Sequence, residues 1–87
     1  MPAAQSHKRG IVLVADDDPV MRLLMVEMLE GVGLDAIEAE DGARAVELAS
    51  ERSPDLILMD VEMPKLDGFA ACRAIRDLPN GATVPIV

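Results

Sequence analysis

Two acidic stretches stand at the ends of apolar runs. Asp16-Asp17-Asp18 follows Ile11-Val12-Leu13-Val14-Ala15, and Asp60 closes Leu56-Ile57-Leu58-Met59. Carboxylates packed together repel one another, so either some stay protonated or a cation neutralises them. Hard oxygen donors, few and open to water, suit magnesium better than zinc. Neither stretch holds a His or Cys that would build a transition-metal site. Asp18, just before Pro19, reads as a helix cap with proline at the first helical position. Asp16 and Asp17 have no such explanation, because the end of a strand does not require consecutive acids.

The elements that must position these acids follow from the apolar pattern. Both runs are short and read as strands buried on two faces, as in a parallel sheet. Val20, Met21, Leu23, Leu24, Met25, Met28 and Leu29 supply a helical apolar stripe, with its methionines as packing, and Gly31 and Gly33 end that helix. Leu34 to Ala39 is a weaker, more polar strand, expected at a sheet edge. Asp41-Gly42 marks a turn. Ala43 to Arg52 is a second helix with Ala45, Leu48 and Ala49 on one face, broken by Ser53-Pro54. Met63 to Gly68 is a loop. Phe69 to Leu78 is a third helix carrying Phe69, Cys72 and Ile75, closed by Pro79-Asn80-Gly81. Val84-Pro85-Ile86-Val87 begins a fourth strand. Strict alternation of strand and helix implies an α/β layer fold with a parallel sheet and right-handed crossovers. Ligands of such sheets bind beyond the carboxyl ends of the strands, where strand order reverses. If the first and third strands are neighbours, Asp16, Asp17 and Asp60 converge on one crevice.

Composition narrows the function classes. With 87 residues there is room for one domain at most, and the net charge is −8. That charge argues against a nucleic-acid or anionic-membrane surface, and it fits a protein that binds a cation or meets a basic partner. One Phe and no Tyr or Trp leave the core to aliphatic residues and methionine. Cys72 is the only cysteine, which suits a reducing compartment and rules out an internal disulfide. No apolar run reaches the length of a membrane span, and the polar start of the chain does not read as a secretory signal, so the cytoplasm is expected. Residues 1–10 read as a flexible tail and 11–87 as the folded unit.

Ile11-Val12-Leu13-Val14-Ala15-Asp16-Asp17-Asp18-Pro19, followed by Arg22, resembles the opening of a bacterial response-regulator receiver domain. Leu56-Ile57-Leu58-Met59-Asp60-Val61-Glu62-Met63-Pro64 resembles its phosphorylation strand and loop. Leu66-Asp67-Gly68 is similar to the family's turn into its third helix, and Glu38-Ala39-Glu40-Asp41-Gly42 to its second-strand exit. The resemblance runs without gaps from Ile11 to Val87. It implies a flavodoxin-like (CheY-like) parallel sheet with flanking helices and strand order 2-1-3-4-5. It also implies roles. Asp60 matches the phosphoacceptor, Asp17 a direct metal ligand, and Asp16 an acid that supports the metal, often through water. Glu62 matches the position whose main-chain carbonyl binds the metal and whose side chain tunes phosphoryl lifetime. Met63-Pro64 and Gly68 match structural loop positions. The implied cofactor is Mg2+, and the implied donor is a phosphohistidine on a sensor histidine kinase or phosphotransfer protein. A carboxylate can act as nucleophile and form an acyl phosphate, with a bound metal neutralising the phosphoryl oxygens. Such a domain is not a classical enzyme, since the family catalyses only its own aspartyl phosphorylation and dephosphorylation.

The family's phosphoryl-binding Ser or Thr, at the end of its fourth strand, and its Lys, at the end of its fifth, would both lie beyond Val87. The chain therefore reads as roughly the N-terminal two-thirds of a receiver domain, truncated after the fourth strand, and as a piece of a longer protein. Three expectations follow. Phosphorylation is expected to be weaker or absent without that part of the charge clamp; Lys8, Arg9 and Lys65 are the cations at hand, though nothing in their spacing marks them as a replacement. The open fourth-strand edge invites self-association. The alternative function is a receiver-like interaction module that never turns over phosphate. A haloacid-dehalogenase-type hydrolase fits poorly. That family wants a Thr soon after its acid pair, and Met63-Pro64 stands here instead.

Overall fold

A computed structural model describes residues 9–63 and 65–87. Its centre is β1, Ile11–Ala15, in which Val12, Leu13, Val14 and Ala15 are all buried. Side chains alternate across a strand, so a run apolar at every position must be covered on both faces. On one face Leu13 and Ala15 join Ile57, Ala45, Leu48, Ala49 and Ile75 in the main core. On the other, Val12 and Val14 lie on the side of α1, Pro19–Gly31. The helices α2, Gly42–Arg52, and α3, Gly68–Arg76, pack against each other over the first face.

β1 pairs in parallel with β2, Asp35–Ala39, on one side and with β3, Leu56–Met59, on the other. The order β2-β1-β3 places the reversal of strand order between β1 and β3. Where the fourth strand is expected, the chain makes a parallel bridge of Ile86 to Ile57. The Ile57 N–H donates to the Pro85 carbonyl at 2.9 Å, the Val87 N–H to Ile57 at 2.9 Å, and the Met59 N–H to Val87 at 3.0 Å. Pro85 has no N–H to give, which suits the first position of a ladder. The order thus extends to 2-1-3-4, as a flavodoxin-like sheet requires, and β2 is the edge strand expected from its polarity.

Each helix opens on an aspartate. Asp18 accepts the N–H groups of Val20 and Met21, Asp41 that of Arg44, and Asp67 that of Ala70. Each carboxylate satisfies donors that the first helical turn leaves unpaired. Only Asp18 is assigned as a cap from sequence; Asp41 and Asp67, read as turn and loop, are caps as well.

Several local expectations need correction. The stripe on α1 is mostly in solvent. Val20, Met21, Leu23, Leu24 and Met28 are exposed, Met25 and Leu29 are half-buried, and only Val26 is buried. On α3, which ends at Arg76 rather than Leu78, Phe69 is 69 % exposed and Cys72 half-buried, while Ala71 and Ile75 face the core. Residues 69, 72 and 75 wind around a helix of 3.6 residues per turn, whereas 68, 71 and 75 stay on one side. The proposed tail falls outside the described residues over 1–8. Beyond that, Arg9 pairs with Asp35 at 2.9 Å, and Gly10 accepts the Asp35 N–H at 2.8 Å. Among the described residues no helix is long and apolar enough to cross a membrane.

Candidate functional site

The parallel pairing of β1 and β3 ends in a rung that carries the acids. The Asp60 N–H donates to the Ala15 carbonyl at 2.9 Å, and the next residue of β1's exit, Asp16, donates to Ala39 of β2 at 3.1 Å. Beyond this rung, carboxylate oxygens of Asp16, Asp17 and Asp60 lie within 4.8 Å of one another. Asp17 is exposed, Asp60 half-buried and Asp16 only 9 % exposed. The predicted convergence at the carboxyl end of the sheet is therefore what the fold produces.

Asp16 is held on every side. Its Oδ1 accepts the Asp18 N–H at 2.9 Å, and its carbonyl accepts Nη1 of Arg22 at 2.7 Å. Arg22 in turn binds Glu38 on β2, Nε to Oε1 at 2.9 Å. The Asp60 carboxylate accepts the Glu62 N–H at a long 3.4 Å, and Glu62 is exposed just outside the acid group.

The loop after Asp60 is seated by close backbone contacts. The Gly68 N–H donates to Val61 at 2.9 Å, and Met63 is buried in the core. A Cβ on Gly68 would overlap the Asp60 carbonyl, and one on Gly42 would overlap the Leu66 carbonyl. Lys65 adopts φ 69°, a left-handed conformation that costs a non-glycine residue about 1 kcal/mol. Its Nζ stands 3.5 Å from Asp41 Oδ2. The Arg44 N–H on Asp41 holds that carboxyl below its ordinary value; burial opposes the shift and Lys65 adds to it. Of the three cations considered as a substitute charge, Lys65 is thus engaged by Asp41. Arg9 sits at the opposite end of β1, beside Asp35, and Lys8 falls outside the described residues.

Three oxygen donors of one sign, open to water on one side, form a hard-cation donor set. Magnesium–oxygen bonds of about 2.1 Å place octahedral ligands roughly 3.0–4.2 Å apart. Carboxylates already within 4.8 Å need only small rotations to reach that spacing. Beside them opens a cavity of about 270 Å³ lined by Ala15, Asp16, Met25, Leu58, Met59, Asp60 and Val87.

The decisive comparison is with protein families. The model of the response regulator receiver domain matches residues 12–87. The chain belongs to the response regulator receiver family. Among curated relatives, this receiver chain is 39 % identical over 74 residues to the chemotaxis protein CheY of Bacillus subtilis, covering 84 % of this chain and 62 % of that protein. It is 38 % identical over 84 residues to a gliding motility regulatory protein of Myxococcus xanthus, covering 97 % of this chain and 11 % of that protein. The receiver domain of the sensor histidine kinase PA1611 from Pseudomonas aeruginosa, solved with a magnesium ion coordinated in its active-site cleft, superposes with a TM-score of 0.87 at 38 % identity. That match covers 91 % of this chain and 65 % of that one. Chemotaxis protein CheY4 of Vibrio cholerae gives a TM-score of 0.87 at 30 % identity, covering 91 % and 66 %. The chain thus spans less than two thirds of the length of these relatives.

Sequence reasoning does not assign two residues that build the site's surroundings. Arg22 enters only as part of the family resemblance, and Asp41 only as a turn. An Arg four positions after a capping Asp is the available signal for the first, and an Asp just before a helical run is the signal for the second.

Proposed function

We propose that this receiver chain is a phosphoacceptor in two-component signalling, with Asp60 as the residue that takes the phosphoryl group. One observation carries the reading: in a receiver-family fold, the carboxylates of Asp16, Asp17 and Asp60 meet within 4.8 Å at the carboxyl end of the sheet. An Asp60 carboxylate oxygen attacks phosphorus, the phosphorus–nitrogen bond of a donor phosphohistidine breaks, and its electron pair leaves with the imidazole. Asp17 and Asp60 would hold Mg2+ directly, with the Glu62 carbonyl, while Asp16 supports it through water. Bound magnesium supplies neutralisation and alignment of the phosphoryl oxygens. Asp16, pinned by the Asp18 N–H and Arg22, keeps the acid group in place. The donor is a sensor histidine kinase or phosphotransfer protein of a bacterial cytoplasm. The chain's chemistry is its own modification rather than turnover of a separate substrate. The charge of −8 argues against a nucleic-acid partner.

Intact mass after incubation with a small-molecule phosphodonor tests this. One added phosphoryl group is expected only with magnesium present and only with Asp60 intact. No gain, or a gain that survives Asp60→Asn, would sink the reading.

A second reading, a protein-interaction module, draws on the exposed Val61 and Phe69, which line one shallow cavity together with Ile86 of the fourth-strand bridge. Self-association through the fourth-strand edge would appear as concentration-dependent mass in sedimentation.

A further inference from the structure

Arg22 is the one cation among the described residues that reaches into the acid site through hydrogen bonds, and it does so without touching a carboxylate of the cluster. Its side chain is 18 % exposed. Nη1 donates to the main-chain carbonyl of Asp16 at 2.7 Å, and Nε meets Glu38 Oε1 at 2.9 Å. Three elements are thereby joined: α1 supplies the arginine, β1's exit supplies the carbonyl, and edge strand β2 supplies the carboxylate. The N–H of Asp16 is already committed to Ala39 and its Oδ1 to the Asp18 N–H. The arginine therefore completes the restraint of the residue from which Asp17 projects.

We infer that Arg22 is a positioning residue for the acid pair, anchored by Glu38, which sets the orientation of Asp16 and Asp17 toward a divalent cation. The inference rests on the metal-assisted phosphoacceptor reading above. A planar guanidinium offers two donors in a fixed fork, whereas a lysine ammonium on its flexible stem does not reproduce that geometry. Groups that orient metal ligands from outside typically change affinity by about tenfold or more.

The sign of the effect separates positioning from charge. Deleting a nearby positive charge should, by Coulomb's law alone, tighten cation binding to the acids. Loss of positioning should weaken it. Magnesium titration would be followed by NMR, together with hydrogen exchange of the Asp18 amide in metal-free protein, for wild type, Arg22→Met, Arg22→Lys and Glu38→Gln. All would be read well below the unfolding temperature. For Arg22→Met the magnesium midpoint should rise about tenfold and Asp18 exchange should quicken. Arg22→Lys should not restore either, and Glu38→Gln should give a smaller change in the same direction. Unchanged or tighter magnesium binding in Arg22→Met overturns the inference, as does unchanged Asp18 exchange. Failure of wild type to bind magnesium would instead overturn the metal reading, and the exchange data would then decide the role of Arg22 alone.

Discussion

The main-chain N–H of Asp60 donates to the carbonyl of Ala15 at 2.9 Å, so the third strand delivers its acid directly beside the acids that follow the first. Backbone pairing brings together three carboxylates that repel one another. Asp60→Asn removes one of those charges while keeping the side chain's shape. The metal-free variant should melt above wild type by a few degrees, on the order of 4–8 °C per kcal/mol for a chain of this size. On the proposed metal reading, magnesium should raise the melting temperature of wild type, because the acid cluster is assembled only in the folded state, and should barely move the variant. Calorimetry with and without magnesium checks both expectations.

Gly42 and Gly68 carry the loop between β3 and α3 on bare backbone. A methyl group at Gly68 would overlap the Asp60 carbonyl, and one at Gly42 the Leu66 carbonyl. Neither obstacle is a flexible side-chain end, so the chain must shift. Gly68→Ala and Gly42→Ala should each cost about 3 kcal/mol in urea denaturation, as overpacking does. Gly31, the last residue of α1, has open space where its Cβ would stand. Gly31→Ala should instead stabilise by about 0.5 kcal/mol, since alanine orders at lower entropic cost in a helix.

Asp41 gives a pH signature. The Arg44 N–H, at 2.8 Å, and then Lys65 lower its carboxyl below the ordinary 3.8, against the opposing effect of burial. A carboxyl with a lowered folded value contributes stability that is complete above its unfolded value and is lost as pH falls through the folded one. Asp41→Asn keeps an oxygen for the cap, and Asn caps helices about as well as Asp. The variant should be less stable than wild type near neutrality, lose less stability as the pH is lowered from 5 to below 3.8, and converge on wild type there. Denaturation midpoints across that range measure the difference.

Much of this fold could be read directly from residue types. β1 is apolar at every position because both faces are covered, a pattern with few other meanings in a short segment, whereas β3 is equally apolar but buries only Ile57 and leaves Leu56, Leu58 and Met59 half-buried. The acids at their ends have no structural need to be there, which is why Asp16, Asp17 and Asp60 stand out. The helices were harder. α1 is apolar at eight of the positions from Val20 to Leu29, nearly all the way round, so periodicity cannot choose its buried side. The core chose Val26, with Met25 and Leu29 partly covered, and left Leu24 and Met28 in solvent. On α3, spacing by threes drew Phe69 into the expected stripe, although Gly68, Ala71 and Ile75 make the true one. The caps Asp41 and Asp67 look like ordinary loop acids until the helix they start is seen.

That difference in burial on α1 can be measured. Leu24 is 51 % and Met28 72 % exposed, so neither is an anchor of the sheet-facing side. Leu24→Ser and Met28→Ser should each change stability by no more than about 0.5 kcal/mol, the usual range for surface positions. Val26, at 9 % exposure, is the residue through which α1 meets the sheet, and Val26→Ala should cost about 1–2 kcal/mol from lost burial. Ile57 is fully buried between α2, α3 and the strands, and Ile57→Ala should cost about 3–5 kcal/mol because a cavity adds to the lost transfer energy. Urea midpoints of the four variants give the ranking. If Leu24→Ser or Met28→Ser destabilises as much as Val26→Ala, the face formed by Leu24 and Met28 is covered in solution by another surface, and the dependence of that loss on protein concentration would show whether a second copy provides it.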